Sequence, residues 1–216
     1  MSEATRDLAS TERYLPIIRR VRRRGLIIIA VSAVVVLIVA VRGATLYAAL
    51  LPGEMPVRWV DDSSGFRWSS NAPIRWVSAE PSTIFGPLAQ GIVFLIIAAV
   101  LVHTGVLGAI WTRFRRFLFG FTGPTRAALE TCFFDYLTAW LSAGLAVAMA
   151  LDGWEMWSLA LGNQAPVVHM LVTASSPFML MGFGLSLLLA WREVKAAFAK
   201  EAGDTLPPSP QAPHTQ

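Results

Sequence analysis

Four long apolar stretches, separated by charged or turn-rich segments, set the pattern of this chain. Residues 25–51 carry no charge until Arg42, and residues 84–111 hold one ionisable side chain, His103. Residues 127–151 contain Glu130 and Asp135 in their first half, and residues 165–191 are rich in Leu, Met and Phe. About 20 predominantly apolar residues in a helix cross about 30 Å of hydrocarbon, so each stretch is long enough to span a bilayer. The pattern predicts an all-α membrane protein with four transmembrane helices. The first reads as an uncleaved signal-anchor, because a charged tail of 24 residues precedes it, no small-x-small cleavage site follows it, and three more spans come after it.

The connections are unequal. Residues 1–24 form a basic tail, with Pro16 placed to open an interfacial helix over Tyr14 to Arg24. Residues 52–83 are too long for a mere connector. Val57-Arg58-Trp59-Val60 and Ile74-Arg75-Trp76-Val77 read as strands, with turn chemistry over 61–65 and 71–73, so a small β-hairpin cap is expected between helices 1 and 2. Residues 112–126 form an interfacial link in which phenylalanines and arginines interleave. Residues 152–164 read as a short turn, with Trp154 and Trp157 at the membrane interface. Residues 192–216 form a tail whose proline-rich end, 206–216, reads as disordered.

Composition agrees with this class. Of 216 residues, 55% are hydrophobic and only 15% charged, against the roughly 25% charged of a soluble domain. Mean hydropathy is +0.54 and the pI is about 9.8. That basicity follows topology and does not point to nucleic acid. Fourteen of the eighteen cations lie in the N-terminal tail, the 112–126 link and the C-terminal tail. The positive-inside bias then places both termini in the cytoplasm and the 52–83 loop outside it. Arg19, Arg20, Arg22, Arg23, Arg24, Arg113, Arg115 and Arg116 are the expected ligands of lipid head groups.

Candidate chemistry is sparse. The outer loop repeats an Arg-Trp pair three times: Arg58-Trp59, Arg67-Trp68 and Arg75-Trp76. Trp and Arg are the commonest binding hot spots, which favours a recognition surface, while tryptophans at a membrane interface beside lipid phosphates account for the same residues. Within the spans, His103 and Asp135 each lie eight residues from the inner end of their helix. Both therefore sit roughly 12 Å deep, where they could pair as interhelical glue or as a proton site. Arg42, Ser175 and Ser176 form an expected polar cluster near the outer leaflet, where Pro177 frees a carbonyl.

No cofactor, metal or catalytic set is expected. His103 and His169 lie at different depths and cannot share a haem iron, and His214 is in the tail. Asp61-Asp62 lacks a calcium loop, and GxSxG, P-loop, HExxH and dinucleotide motifs are absent. The single Cys132 reads as a packing residue.

At the exit of the fourth span, Leu187-Leu188-Leu189-Ala190-Trp191 is followed by Glu193, Lys195, Lys200 and Glu201. This resembles a widespread, uncharacterised bacterial family of four-helix inner-membrane proteins with an external loop after the first helix. The resemblance implies a multi-pass protein of the bacterial inner membrane and no established activity. Together these readings point to a non-catalytic binding protein: a regulator, an accessory subunit, or an immunity protein against a membrane-active peptide or toxin. Its partners are the bilayer and another membrane or periplasmic protein or peptide. The alternative is a small oligomeric transporter or channel with His103 and Asp135 in its path. Proteolysis of inside-out vesicles should remove both terminal tails and leave the 52–83 loop intact, as read by mass spectrometry of the fragments.

Overall fold

The computed structural model describes residues 14–50, 53–57, 59–62, 65–68, 75–119, 123–162 and 166–204. Among these, α1 (Leu15–Leu50) leads into four short strands, β1 (Glu54–Val57), β2 (Trp59–Asp62), β3 (Gly65–Trp68) and β4 (Arg75–Ser78). Helices α2 (Pro81–Thr104), α3 (Val106–Phe119), α4 (Pro124–Ala160) and α5 (Pro166–Asp204) follow. Four of the five helices are long and apolar enough to cross a membrane: α1, α2, α4 and α5.

Helix α1 carries its basic turns and its apolar span on one rod, roughly 54 Å long at 1.5 Å per residue. Pro16 sits in its first turn, where a missing N–H costs no hydrogen bond. Eight of its ten buried positions, Ile18, Val21, Gly25, Ile29, Ser32, Val36, Val39 and Gly43, step by three and four residues. That is one helix face, and it packs against α2 and α4.

Helix α4 is the hub, touching every other helix. Its buried residues are mostly small, including Ala128, Ala139, Ala143, Gly144 and Ala146, which lets neighbouring backbones approach. Helices α2 and α5 flank it, and α5 touches α1 only slightly. One apolar cluster joins α1, α2 and α4 around Val36, Leu95, Ala146 and Trp157. A second joins the start of α1, the start of α4 and the end of α5 around Val21, Tyr136 and Val194. Tyr14 shares a hydrogen bond with Thr125 at 2.9 Å, and Arg20 reaches Glu193 at 3.0 Å. The start of α1 and the end of α5 therefore lie at the same end of the bundle.

Three elements differ from the sequence expectation. The interfacial helix expected over Tyr14 to Arg24 is the first part of α1, with Tyr14, Ile17, Ile18 and Val21 buried against α4 and α5. The continuous helix expected over 84–111 is two helices, broken at Gly105, whose φ of 64° is left-handed. Glycine alone adopts that region without a steric penalty, and it ends α2 in the usual way. The turn expected over 152–164 is helical through Ala160. Packing overrides the turn-forming residues there: Asp152, Gly153 and Met156 are buried, this part of the bundle adjoins β1, and Trp157 is fully buried rather than interfacial.

The strands form two antiparallel pairs. β1 pairs with β4, placing Pro56 opposite Trp76, and β2 pairs with β3, placing Trp59 opposite Trp68. β2 and β3 lie between β1 and β4 in sequence, so one hairpin is nested within the other. Residues 63–64 and 69–74, which include the expected turn at 71–73, lie outside the described residues, as does the 206–216 end.

The contact between α1 and α4 leaves no spare room. A Cβ on Gly43 would stand 2.5 Å from the Trp157 ring. Gly43→Val should destabilise the protein by about 1–3 kcal/mol through overpacking. Trp157→Phe should recover part of that loss in the double variant, as read by unfolding in mild detergent.

Candidate functional site

Two regions concentrate polar chemistry: the end of the bundle where α1 begins, and the strand cap at the opposite end.

At the first, Arg22 donates from Nε to Asp135 Oδ2 at 3.1 Å, linking α1 to α4. The Asp135 side chain is 2% exposed and that of Arg22 28%. An ionised carboxylate buried among apolar helices carries a heavy desolvation cost unless a cation and hydrogen bonds meet it. The guanidinium crosses the surface of Gly105, where any Cβ would overlap its Nη2. Glycine is thus required there twice, by its backbone angle and by the arginine passing over it. One turn away, Glu193 of α5 takes Arg20 through Oε2 at 3.0 Å and Arg24 through Oε1 at 2.8 Å. Glu130 of α4 takes Arg115 of α3 and, at 3.3 Å, its helix neighbour Arg126. Three carboxylates therefore tie α1 to α4, α1 to α5 and α3 to α4.

The expected residues are distributed differently. His103 is exposed on the last turn of α2 and makes no hydrogen bond to Asp135, so the expected His103–Asp135 pair is not formed. The reason is direction rather than depth: Val102 and Asp135 both approach Gly25 of α1, whereas His103, next in the helix, is on the exposed face of α2. Of the eight arginines expected at lipid head groups, Arg20, Arg22, Arg24 and Arg115 are held in ion pairs. Arg19, Arg23 and Arg113 are exposed, with no ion pair among the described residues. The side chain of Arg116 lies outside the described set.

Arg42 is exposed and accepts a hydrogen bond on its backbone oxygen from Thr45. It does not line the apolar cleft of about 310 Å³ between α1, α4 and α5 that Ser32 and Ser175 border. The Ser176 side chain is outside the described residues. Along the same interface Trp140 packs over Gly182 and donates from Nε1 to Ser186 at 3.0 Å, joining α4 to α5.

In the cap, Arg58 and the side chains of Trp59, Arg67, Trp68 and Arg75 lie outside the described residues, although four of these five have backbone positions in strands. Trp76 is 56% exposed. Beneath the cap, Asp152 and Glu155 are buried near the end of α4. Sequence reasoning named Glu193 only within the charged exit of the fourth span, and did not single out Asp152 or Glu155. The role of Glu193 was legible from its place at the exit of the fourth span, at the same end as the arginines of α1, whereas the other two lay in an assumed turn. Among the described residues no cluster of three His, Cys, Asp or Glu side chains stands ready for a metal ion.

Comparison with protein-family models, with curated proteins and with solved structures returns no match.

Arg22→Gln and Asp135→Asn should each destabilise the bundle by about 2–3 kcal/mol, below the 3–5 kcal/mol of a fully buried pair because Arg22 is partly exposed. The double variant should lose less than the two single effects combined, as measured by a double-mutant cycle on unfolding.

Proposed function

We propose that this chain is a non-catalytic, multi-pass protein of a bacterial inner membrane that recognises a partner through its extracytoplasmic strand cap. The partner class is another membrane or periplasmic protein, or a membrane-active peptide, which makes the chain a regulator, an accessory subunit or an immunity-type protector. The observation that carries this reading is Trp76, a large aromatic side chain 56% exposed on a strand outside the spans. Its backbone is fixed by pairing with β1, and the bundle's hub helix packs on β1. A tryptophan presented from a fixed backbone keeps contact area at low entropy cost, which suits a recognition residue.

The disposition of the polar groups favours binding over transport. Arg22 and Asp135 satisfy each other within one layer, and His103 is exposed at a helix end rather than beside them. The next buried carboxylates, Asp152 and Glu155, lie roughly 25 Å further along α4 with mainly apolar packing between, so among the described residues no continuous polar route links them to the pair, and the transporter alternative draws less support. The basic end then faces the cytoplasm, in keeping with the positive-inside bias.

Replacing Trp59, Trp68 and Trp76 together by alanine should abolish capture of a copurifying partner from gently solubilised membranes, or protection against the cognate peptide. Membrane abundance should stay unchanged. Undiminished capture and protection would sink the cap reading. Background flux in proteoliposomes, equal for the native chain, His103→Ala and Asp135→Asn, is expected alongside it.

A further inference from the structure

We propose that α3 forms a binding site for anionic phospholipid in the leaflet at the arginine-rich end of the bundle, with Arg113 as the phosphate ligand and Ile110, Phe114 and Phe117 as the hydrocarbon anchor. The site is separate from the cap and does not depend on what the cap binds.

Helix α3 presents three faces. Gly108 lies against Thr131, and Arg115 is bound to Glu130, so one face belongs to α4. Ile110, Phe114 and Phe117 follow at i, i+4 and i+7 on a second face, 57%, 52% and 86% exposed. Arg113 occupies a third flank, also exposed.

The two hollows beside α3 fix its orientation. On one side Ile110, Trp111 and Phe114 border a groove of about 430 Å³ whose far wall is Phe134, Leu137 and Leu141, the part of α4 that runs on into its span. On the other, Thr112 and Arg113 border a hollow of about 300 Å³ beside Tyr14, Pro124 and Thr131, at the start of α4. Helix α3 therefore lies across α4, with its aromatic flank toward the hydrocarbon and its cationic flank toward the head groups. An apolar stripe backed by cations, set level with the end of a membrane span, is the pattern of a helix lying in the lipid interface.

Charge selects the lipid class. The ion pairs occupy Arg20, Arg22, Arg24, Arg115 and Arg126. Arg113 remains exposed, as do Arg19 and Arg23 at the same end of α1, and all three lack an ion pair among the described residues. Such cations near a bilayer surface attract acidic head groups, a basic residue strengthening the attraction by about fivefold.

The test uses the full chain in detergent, titrated with phosphatidylglycerol or phosphatidylcholine, with bound lipid counted by native mass spectrometry. The native chain should prefer phosphatidylglycerol. Arg113→Gln should weaken that binding by about fivefold and leave phosphatidylcholine unaffected, whereas Arg113→Lys should retain most of it. Phe114→Ala with Phe117→Ala should weaken both lipids. Arg192→Gln, an exposed cation of α5, should change neither. Three results would overturn the proposal: no preference in the native chain, an equal loss in Arg192→Gln, or displacement of phosphatidylglycerol by inorganic phosphate, which marks a free-anion site. An unchanged melting temperature in lipid-free detergent verifies that each variant is folded.

Discussion

The bundle depends on one ion pair placed where an unpaired charge is intolerable. Asp135 is almost wholly buried on the hub helix, and its carboxylate is met by Arg22 from α1. The desolvation cost of both groups is recovered only while they touch, so the pair constrains geometry more than it adds stability. It sets the height of α1 against α4. It also forces the helix crossed by the guanidinium to have no side chain at the crossing, a requirement met by Gly105. The same residue turns the chain out of α2 and releases α3 to lie across the bundle.

Around that point the remaining charges act as ties between pairs of helices. Glu193 holds α5 to α1 by two arginines, and Glu130 holds α3 to α4. In water such pairs add little, because solvent competes for each partner. At the boundary of a bilayer they do more, since the competing solvent is scarce on one side. Apolar packing takes over above this layer. Gly43 receives the ring of Trp157, and small residues along α4 admit the other helices. The protein is thus bound by charge at one end and by close contact along the rest of its length.

The four spans were legible because a run of twenty apolar residues has few other uses. The break at Gly105 was not. Glycine is common within transmembrane helices, and the residues on both sides of it are apolar, so hydropathy runs straight through. That omission moved the end of the second span seven residues, from Thr104 to Trp111. The missing His103–Asp135 contact had another cause: depth does not tell which face of α2 carries His103, and that face is exposed. The 3.6-residue pattern of Ile110, Phe114 and Phe117 beside Arg113 and Arg115 was the available sign of an interfacial helix. Arg22 was hidden among its neighbours, since charge clustering alone treats five nearby arginines alike. The spacing of Ile18, Val21 and Gly25 defines the packed face of α1, and Arg22 borders it at the flank toward α2. The extension of α4 through Ala160 was concealed by Asp152 and Gly153, whose weak helix propensity loses to tertiary burial.

The two halves of the central ion pair are separated by 113 residues of chain. A ribosome adds roughly 5–20 residues per second, so Arg22 emerges roughly 6–23 s before its aspartate has been made. Throughout that interval the newborn first helix holds Arg22 without Asp135, its partner in the folded bundle. The arginine must wait at the lipid–water boundary by extending its side chain outward. Arrival of the third span then draws it inward, so the final seating of the first helix is a late event in biogenesis, triggered by a segment synthesised long after it.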